Sequence, residues 1–112
     1  MDPRTVVVLL ELERRLADPV TVAELAESVN LSSSRLAHLF RKDVGTGPMR
    51  HLQVLRMERA ATLLTRTSLL VTDVMKLVGY TDPSHFRRDF RRHHGLAPRD
   101  WRKVHQFAAW RR

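Results

Sequence analysis

Apolar side chains recur along this chain at intervals of three and four, the spacing of a helix that buries one face. Over Thr5–Ala17 the recurring positions are Val6, Leu9, Leu10, Leu12 and Leu16, and Asp18-Pro19 ends the run. Thr21, Val22, Ala23 and Glu24 then read as a capping box, in which the Thr hydroxyl and the Glu carboxylate satisfy free helix amides. The helix it opens reaches about Val29. Asn30, Leu31 and Ser32 form a turn, and Ser32 caps a third helix that runs through Asp43. Gly45 ends that helix. Pro48 suits the first position of the next, where its missing amide removes no hydrogen bond.

A long fourth helix follows over about Pro48–Arg66, with Met49, Leu52, Leu55, Met57, Ala60, Leu63 and Leu64 as its apolar stripe. The fifth spans Val71–Val78, with Val71, Val74, Leu77 and Val78 inward, and Gly79 ends it. Asp82 or Thr81 caps a sixth that carries Pro83 in its first turn and ends at His94-Gly95. A seventh begins near Pro98 and closes around Gln106, leaving 107–112 as a short basic tail. No segment alternates apolar and polar residues long enough for a strand, so the fold class is all-α with about seven helices.

The pattern repeats. At an offset of 50 residues, Ser34 falls on Ser84, Phe40 on Phe90, Arg41 on Arg91, Gly45 on Gly95 and Pro48 on Pro98. Before the turn the offset is 49: Val22 meets Val71, Leu25 meets Val74, Val29 meets Val78 and Leu31 meets Tyr80, so the second turn holds one extra residue. Each copy is a short helix, a tight turn and a longer helix with an aromatic inside and basic residues outside, which is the helix-turn-helix unit. The chain divides into a first unit (1–47), a linker helix (48–66), a second unit (67–106) and the tail.

The longer helix of each copy has two unlike faces. Leu36, Leu39 and Phe40 share one side of the third helix, and Ser33, Ser34, Ala37, His38 and Arg41 the other. In the sixth, Phe86 and Phe90 point inward and Pro83, Ser84, Arg87, Arg88 and Arg91 outward. A helix that reads DNA needs this division: one side anchors it and the other enters a major groove. A linker of about 18 residues at ~1.5 Å each is ~27 Å long. Successive major grooves on one face of a duplex lie ~34 Å apart, so a stiff helix of this length holds two reading helices near one turn apart. A mismatch with the duplex pitch would bend the DNA, at ~1–6 kcal/mol.

Composition narrows the chemistry. The 112 residues suffice for about one small domain, 43% are apolar and 29% charged, ordinary for a globular chain. No run approaches the ~18 apolar residues of a membrane span, and no charged stretch is followed by an apolar core and a small-residue cleavage site, which argues against a secretory signal. Cysteine is absent, which removes disulfides, thiolate nucleophiles and cysteine metal sites and fits a reducing compartment. Four glycines argue against a glycine-rich cofactor loop. The net charge is +8 and is uneven: −1 over residues 1–45, +3 over 46–80 and +6 over 81–112. Seventeen of the 20 basic residues are arginine, the residue suited to bidentate phosphate and guanine contacts. A small, strongly basic chain points to a polyanion, most often nucleic acid.

The stretch Leu52, Arg56, Met57, Ala60, Leu63, Leu64, Val71, Val74, Gly79, Tyr80, Asp82, Ser84, His85, Phe86, Arg88, Phe90, Arg91, Gly95, Pro98, Trp101, Arg102 resembles the signature of the AraC/XylS family of bacterial transcription regulators. Leu25, Ala26, Ser32, Leu36, Phe40, Arg41, Lys42 and Gly45 fit that family's first module. The resemblance covers about residues 5–105. It implies two helix-turn-helix subdomains on a long helix, with helices 32–43 and 82–94 in adjacent major grooves of promoter DNA. It implies further promoter binding and, usually, activation through contact with RNA polymerase, and the chain itself is read as a bacterial, cytoplasmic regulator that binds DNA as a monomer with no cofactor. The base-reading positions it implies are Ser34, Ala37 and His38, with Pro83, Ser84, Arg87 and Arg88. Arg88 is the leading candidate for a bidentate guanine contact, and Arg87 or Arg91 for phosphate. The chain has no room for a large effector-binding domain, so it reads as a complete small regulator or as the DNA-binding end of a larger one.

Two departures from the family pattern stand out. Met75 replaces a small alanine at a tight helix crossing, which points to looser packing, and Ala97 replaces a capping Ser or Thr, a loss of ~1 kcal/mol. Because the first unit is slightly acidic, the second should dominate affinity. The alternative for each arginine is a surface ion pair, such as Arg88 or Arg92 with Asp89, worth little. Six histidines invite a metal or catalytic role, but the neighbours His93 and His94 point ~100° apart on a helix and do not converge. Trp101 and Trp110 read as packing residues. An adaptor that docks an acidic protein is the rival reading. The outer faces argue against it, lacking the aromatic anchors of a protein hot spot. A nonspecific architectural binder is a third.

Overall fold

The computed structural model describes residues 1–110, with side chains through 106. Seven helices and no strands occur among the described residues: α1 (Pro3–Arg14), α2 (Val22–Ser28), α3 (Ser33–Val44), α4 (Pro48–Arg66), α5 (Val71–Leu77), α6 (Pro83–His94) and α7 (Pro98–Trp110). The all-α class and the order of elements are those read from the pattern. The chain forms two compact units, Met1–Leu55 and Arg56–Arg112, and α4 contributes its first eight residues to one and the rest to the other.

In the first unit the core is Val8, Leu12, Val20, Leu25, Ala26, Leu36, Phe40 and Leu52, all buried. Helix α1 differs from its sequence reading. It starts at Pro3, because the Asp2 carboxylate accepts from the Arg4 amide at 2.8 Å, and it ends at Arg14. Leu12 and Leu16 are buried as expected, but toward the start of the helix the buried positions are Thr5 and Val8, and Val6 and Leu10 face outward. The polar Thr5 displaces the pattern: it is fully buried and donates its hydroxyl to Asp43 at 2.6 Å. That hydroxyl, with the Asp2 amide, holds the Asp43 carboxyl below its ordinary range.

Both capping expectations for this unit hold. Thr21 accepts from the Glu24 amide and donates its hydroxyl to the Glu24 carboxylate. Ser32 accepts from the Arg35 amide. At the turn, Asn30 takes φ 58°, and the Leu31 amide reaches back to the Ala26 carbonyl at 2.9 Å.

The second unit repeats these features. Gly79 takes φ 84°, and the Tyr80 amide bonds the Met75 carbonyl at 3.0 Å. Thr81 is the extra residue, since Asp82 caps α6 by accepting from the Ser84 amide. Gly45 and Gly95 end the longer helices at φ 97° and 85°, each with its amide on the carbonyl four residues back at 2.8 Å. The ring of Phe40 meets His51 edge-on at 5.7 Å, and 50 residues later Phe90 meets Trp101 edge-on at 5.9 Å. The duplication is therefore one of backbone conformation and core packing.

Val74, Met75, Val78, Tyr80, Phe86 and Phe90 pack this second core with Met57, Ala60 and Leu64. Met75 is well buried, so the larger side chain is accommodated. Leu77 and Met49, expected inward, are exposed. The seven residues of α5 already turn Val74 and Met75 inward, with the capping Val78 buried after them, and Met49 lies at the first turn of α4. The Arg102 guanidinium donates to the carbonyls of Leu64 and Thr67, which satisfies the open end of α4. Helix α7 does not close at Gln106 but continues to Trp110. The rest of the tail, Arg111 and Arg112, lies outside the described residues, as does the packing read for Trp110.

Candidate nucleic-acid interface

Each unit presents one helix whose inner side is locked and whose outer side is open. In α3, Leu36 and Phe40 are fully buried while Leu39 is half-buried. Ser33, Ser34, His38 and Arg41 are exposed, and Ala37 is half-exposed. Ser34 and His38 border a depression of about 500 Å³ with Arg4, Arg35 and Lys42. Sequence reasoning passed over those three cations. The 3.6-residue period puts Arg35 and Lys42 beside His38, which was the available signal.

In α6, Phe86 and Phe90 are buried, and Pro83, Ser84, Arg87, Arg88 and Arg91 are all exposed. Ser84, Arg87, Arg88 and Arg91 line one concavity of about 590 Å³ together with Arg92, so four guanidiniums share a surface. The concentration of positive charge on one helix face suits a phosphate backbone and the acceptor-rich edge of guanine.

Asp89 is a correction to the sequence reading, which treated it as a surface partner for arginine. It is 5% exposed, on the inner side of α6. Its Oδ2 accepts the Tyr80 hydroxyl at 2.8 Å and lies 3.2 Å from His85 Nε2. Arg88 Nε is 3.8 Å from Oδ1, at the outer limit of an ion pair, and 61% of the Arg88 side chain is exposed. The guanidinium thus remains available to a ligand. Tyr80 and Asp89 occupy the positions of Leu31 and Leu39 in the first unit. An apolar pair replaced by a phenol and a carboxylate at matched positions was the signal for this buried hydrogen bond.

The remaining histidines divide. His93 is exposed, whereas His94 turns inward, 4.5 Å from Phe90 and 4.8 Å from Trp101, with Nε2 2.9 Å from the Met57 carbonyl. Burial pushes its pKa below the ordinary value. Trp101 stacks on His105 at 3.6 Å. No three His, Asp or Glu side chains converge as a metal site among the described residues, and no described helix is long and apolar enough to cross a membrane.

Paired helix-turn-helix units, each with a buried aromatic anchor behind a polar or basic outer face, define the class of DNA-binding regulators. A helix-turn-helix domain family model matches residues 25–104, and the chain belongs to this family, in its AraC/XylS branch. The lactose operon transcription activator of Staphylococcus xylosus is 38% identical over 89 residues, 80% of this chain and 31% of that protein. The crystal structure of the DNA-binding domain of AdpA in complex with a target DNA matches with TM-score 0.88 and 28% identity, over 100% of both chains. An AraC-type transcriptional regulator from Chromobacterium violaceum matches with TM-score 0.84 and 27% identity, over 92% of each chain. The chain spans about a third of the length of the curated relatives it matches.

Proposed function

We propose that this chain is a sequence-specific double-stranded DNA-binding module that regulates transcription by placing α3 and α6 in adjacent major grooves of a promoter. The observation that carries the reading is the outer face of α6: four arginines exposed along one concavity, on a helix anchored from behind by Phe86 and Phe90. Lysine and arginine displace counterions from phosphates, giving an affinity that falls steeply with salt. Arg88 reads a guanine, Arg87 and Arg91 hold phosphates, and Pro83 and Ser84 touch base edges at the start of α6. In α3, Ser33, Ser34, Ala37, His38 and Arg41 form the weaker reading face. Ala37 offers a methyl that can meet thymine but reads no polar edge.

The module binds as a monomer in the cytoplasm. It acts as an activator through RNA polymerase, a role supported by the activator names of the relatives from Staphylococcus xylosus and Escherichia coli. Selection of bound duplexes from a random pool tests the reading. A recovered consensus with two clusters about one helical turn apart is the expected result. Equal retention of every sequence at fixed salt would replace it with an architectural role. Arg88→Ala should flatten preference at one base pair, whereas removing a charge that only holds phosphate weakens all sequences alike.

A further inference from the structure

A second concavity lies in the second unit, among α5, the start of α6 and the start of α7, with a volume of about 540 Å³. This is within the ~300–1,000 Å³ range of small-molecule sites. Its floor is apolar: Met75 and Phe86 are nearly fully buried beneath it, with Ala97 and Pro98 beside them. Its rim carries three cations, Arg87, Arg99 and Lys103, against one acid, Asp100. All four are exposed, and none is ion-paired among the described residues.

We infer that this groove is a binding site for a small apolar carboxylic acid, its hydrocarbon on the Met75–Phe86 floor and its carboxylate at Arg99 and Lys103. The floor distinguishes the occupant from a bare phosphate or acetate, which has nothing to bury there. The excess of rim cations distinguishes it from a neutral hydrocarbon. Asp100 limits the head group to a single negative charge. Arg87 and Pro83 border the groove and also stand on the outer face of α6. An occupant therefore lies against Arg87 and Pro83, on the face proposed to meet DNA, and weakens DNA binding. This last step rests on the proposed reading of α6, whereas the binding site itself does not.

The test is calorimetric titration of the whole chain with octanoate below its micellar range, beside octanol and acetate. Saturable octanoate binding is expected, with octanol weaker by roughly tenfold or more because it forfeits the hydrogen bonds of a charged group, and acetate weaker by roughly tenfold or more because it has no hydrocarbon to bury on the floor. Arg99→Gln with Lys103→Gln should cut octanoate affinity by a similar roughly tenfold factor, with helical circular dichroism confirming the fold. Octanol binding as well as octanoate in the unmodified protein, phosphate displacing octanoate at equal concentration, or full retention in the double variant would overturn the site. A labelled-duplex titration then separates the coupling. Octanoate should raise the apparent Kd of the unmodified protein and leave that of the double variant unmoved. Octanoate binding without any change in duplex affinity overturns the competition. Failure to prefer any duplex without octanoate overturns the DNA reading, and the calorimetric result is then judged by itself.

Discussion

The two helix-turn-helix units share a backbone and an aromatic anchor and differ in the side chains placed around them. Asn30 and Gly79 both take the left-handed turn conformation, and Gly45 and Gly95 both end the longer helix. Phe40 and Phe90 both sit fully buried behind it. On the outer face, however, Ala37 and His38 correspond to Arg87 and Arg88. Behind the helix, Leu31 and Leu39 correspond to the hydrogen-bonded Tyr80 and Asp89. The retained positions fix where the chain turns and what anchors the helix. The divergent ones decide what the helix meets outside and how its inner edge is satisfied. A repeat can thus preserve a scaffold while its two copies present different surfaces.

The largest expected effect comes from erasing that outer difference. Giving α6 the residues of α3, by Arg87→Ala with Arg88→His, should lower specific affinity by roughly ten- to a hundredfold for each bidentate pairing removed, ~1–3 kcal/mol each. The slope of log affinity against log salt should also become shallower by about one for each phosphate that is no longer neutralised. The mirror change, Ala37→Arg with His38→Arg, should steepen the slope. Fluorescence anisotropy on one duplex at several salt concentrations measures both. Equal losses from disabling either helix would end the claim that the second unit dominates.

Next is the polar pair behind α6. Asp89→Ala leaves the Tyr80 hydroxyl without its acceptor in a buried setting, at a cost of about 1–3 kcal/mol in urea unfolding. Installing the first unit's solution, Tyr80→Leu with Asp89→Leu, should recover most of that loss, because an apolar pair needs no partner. If the double change is as damaging as the single one, the carboxylate contributes more than satisfaction of the phenol.

Much of the fold was legible because helix signals here are local. Thr21 with Glu24, Ser32, the glycines and Pro48 each mark a boundary through backbone hydrogen bonding, and each acts as expected. The outer faces of α3 and α6 followed from period and repeat, since a buried Phe fixes which way the rest of a helix points. What was not legible depended on distant partners. The rotation of α1 is set by Thr5 reaching Asp43, 38 residues away, and no local pattern ranks a threonine above Val6 and Leu10 as a core residue. Asp89 differs, because a carboxylate flanked by arginines reads as solvent-facing when taken alone, while its match to Leu39, with Tyr80 at the place of Leu31, carries the contrary signal. Arg102 carries a plain charge in sequence, and only folding shows it closing the carbonyls at the end of α4.

A smaller effect tests the turns. Gly79→Ala puts a Cβ on a residue at φ 84°, and should destabilise by about 1 kcal/mol after the gain from a stiffer unfolded chain is allowed for. Gly79→Asn, the first unit's choice, should cost less, since Asn tolerates this conformation better than other side chains do. Asn30→Gly should shift stability by no more than about 1 kcal/mol. Chemical denaturation of the three variants ranks them. A larger loss for Asn than for Ala at position 79 would show that room around the turn, rather than its φ, governs that site.

The smallest effect separates the units by pH. His94 corresponds to the half-buried Val44 of the first unit, so only the second carries a titratable ring at this place. Burial among Phe90 and Trp101 favours the neutral imidazole, and nearby His93 and His105 disfavour its charge further. The Met57 carbonyl and Glu58 oppose the shift without reversing it. The folded pKa therefore lies below the unfolded value of about 6.5. Below that value the unfolded chain binds the proton more readily, so stability falls as pH drops from about 6.5 toward the folded pKa and is flat above this window. The ring is only half-buried, which keeps the slope shallow. His94→Gln retains an amide that can donate to the Met57 carbonyl and removes the titration. Unfolding midpoints in urea from pH 7.5 to 5.5 should decline less in this variant than in the unmodified protein. Parallel declines would assign the acid sensitivity to other groups and remove this distinction between the two units.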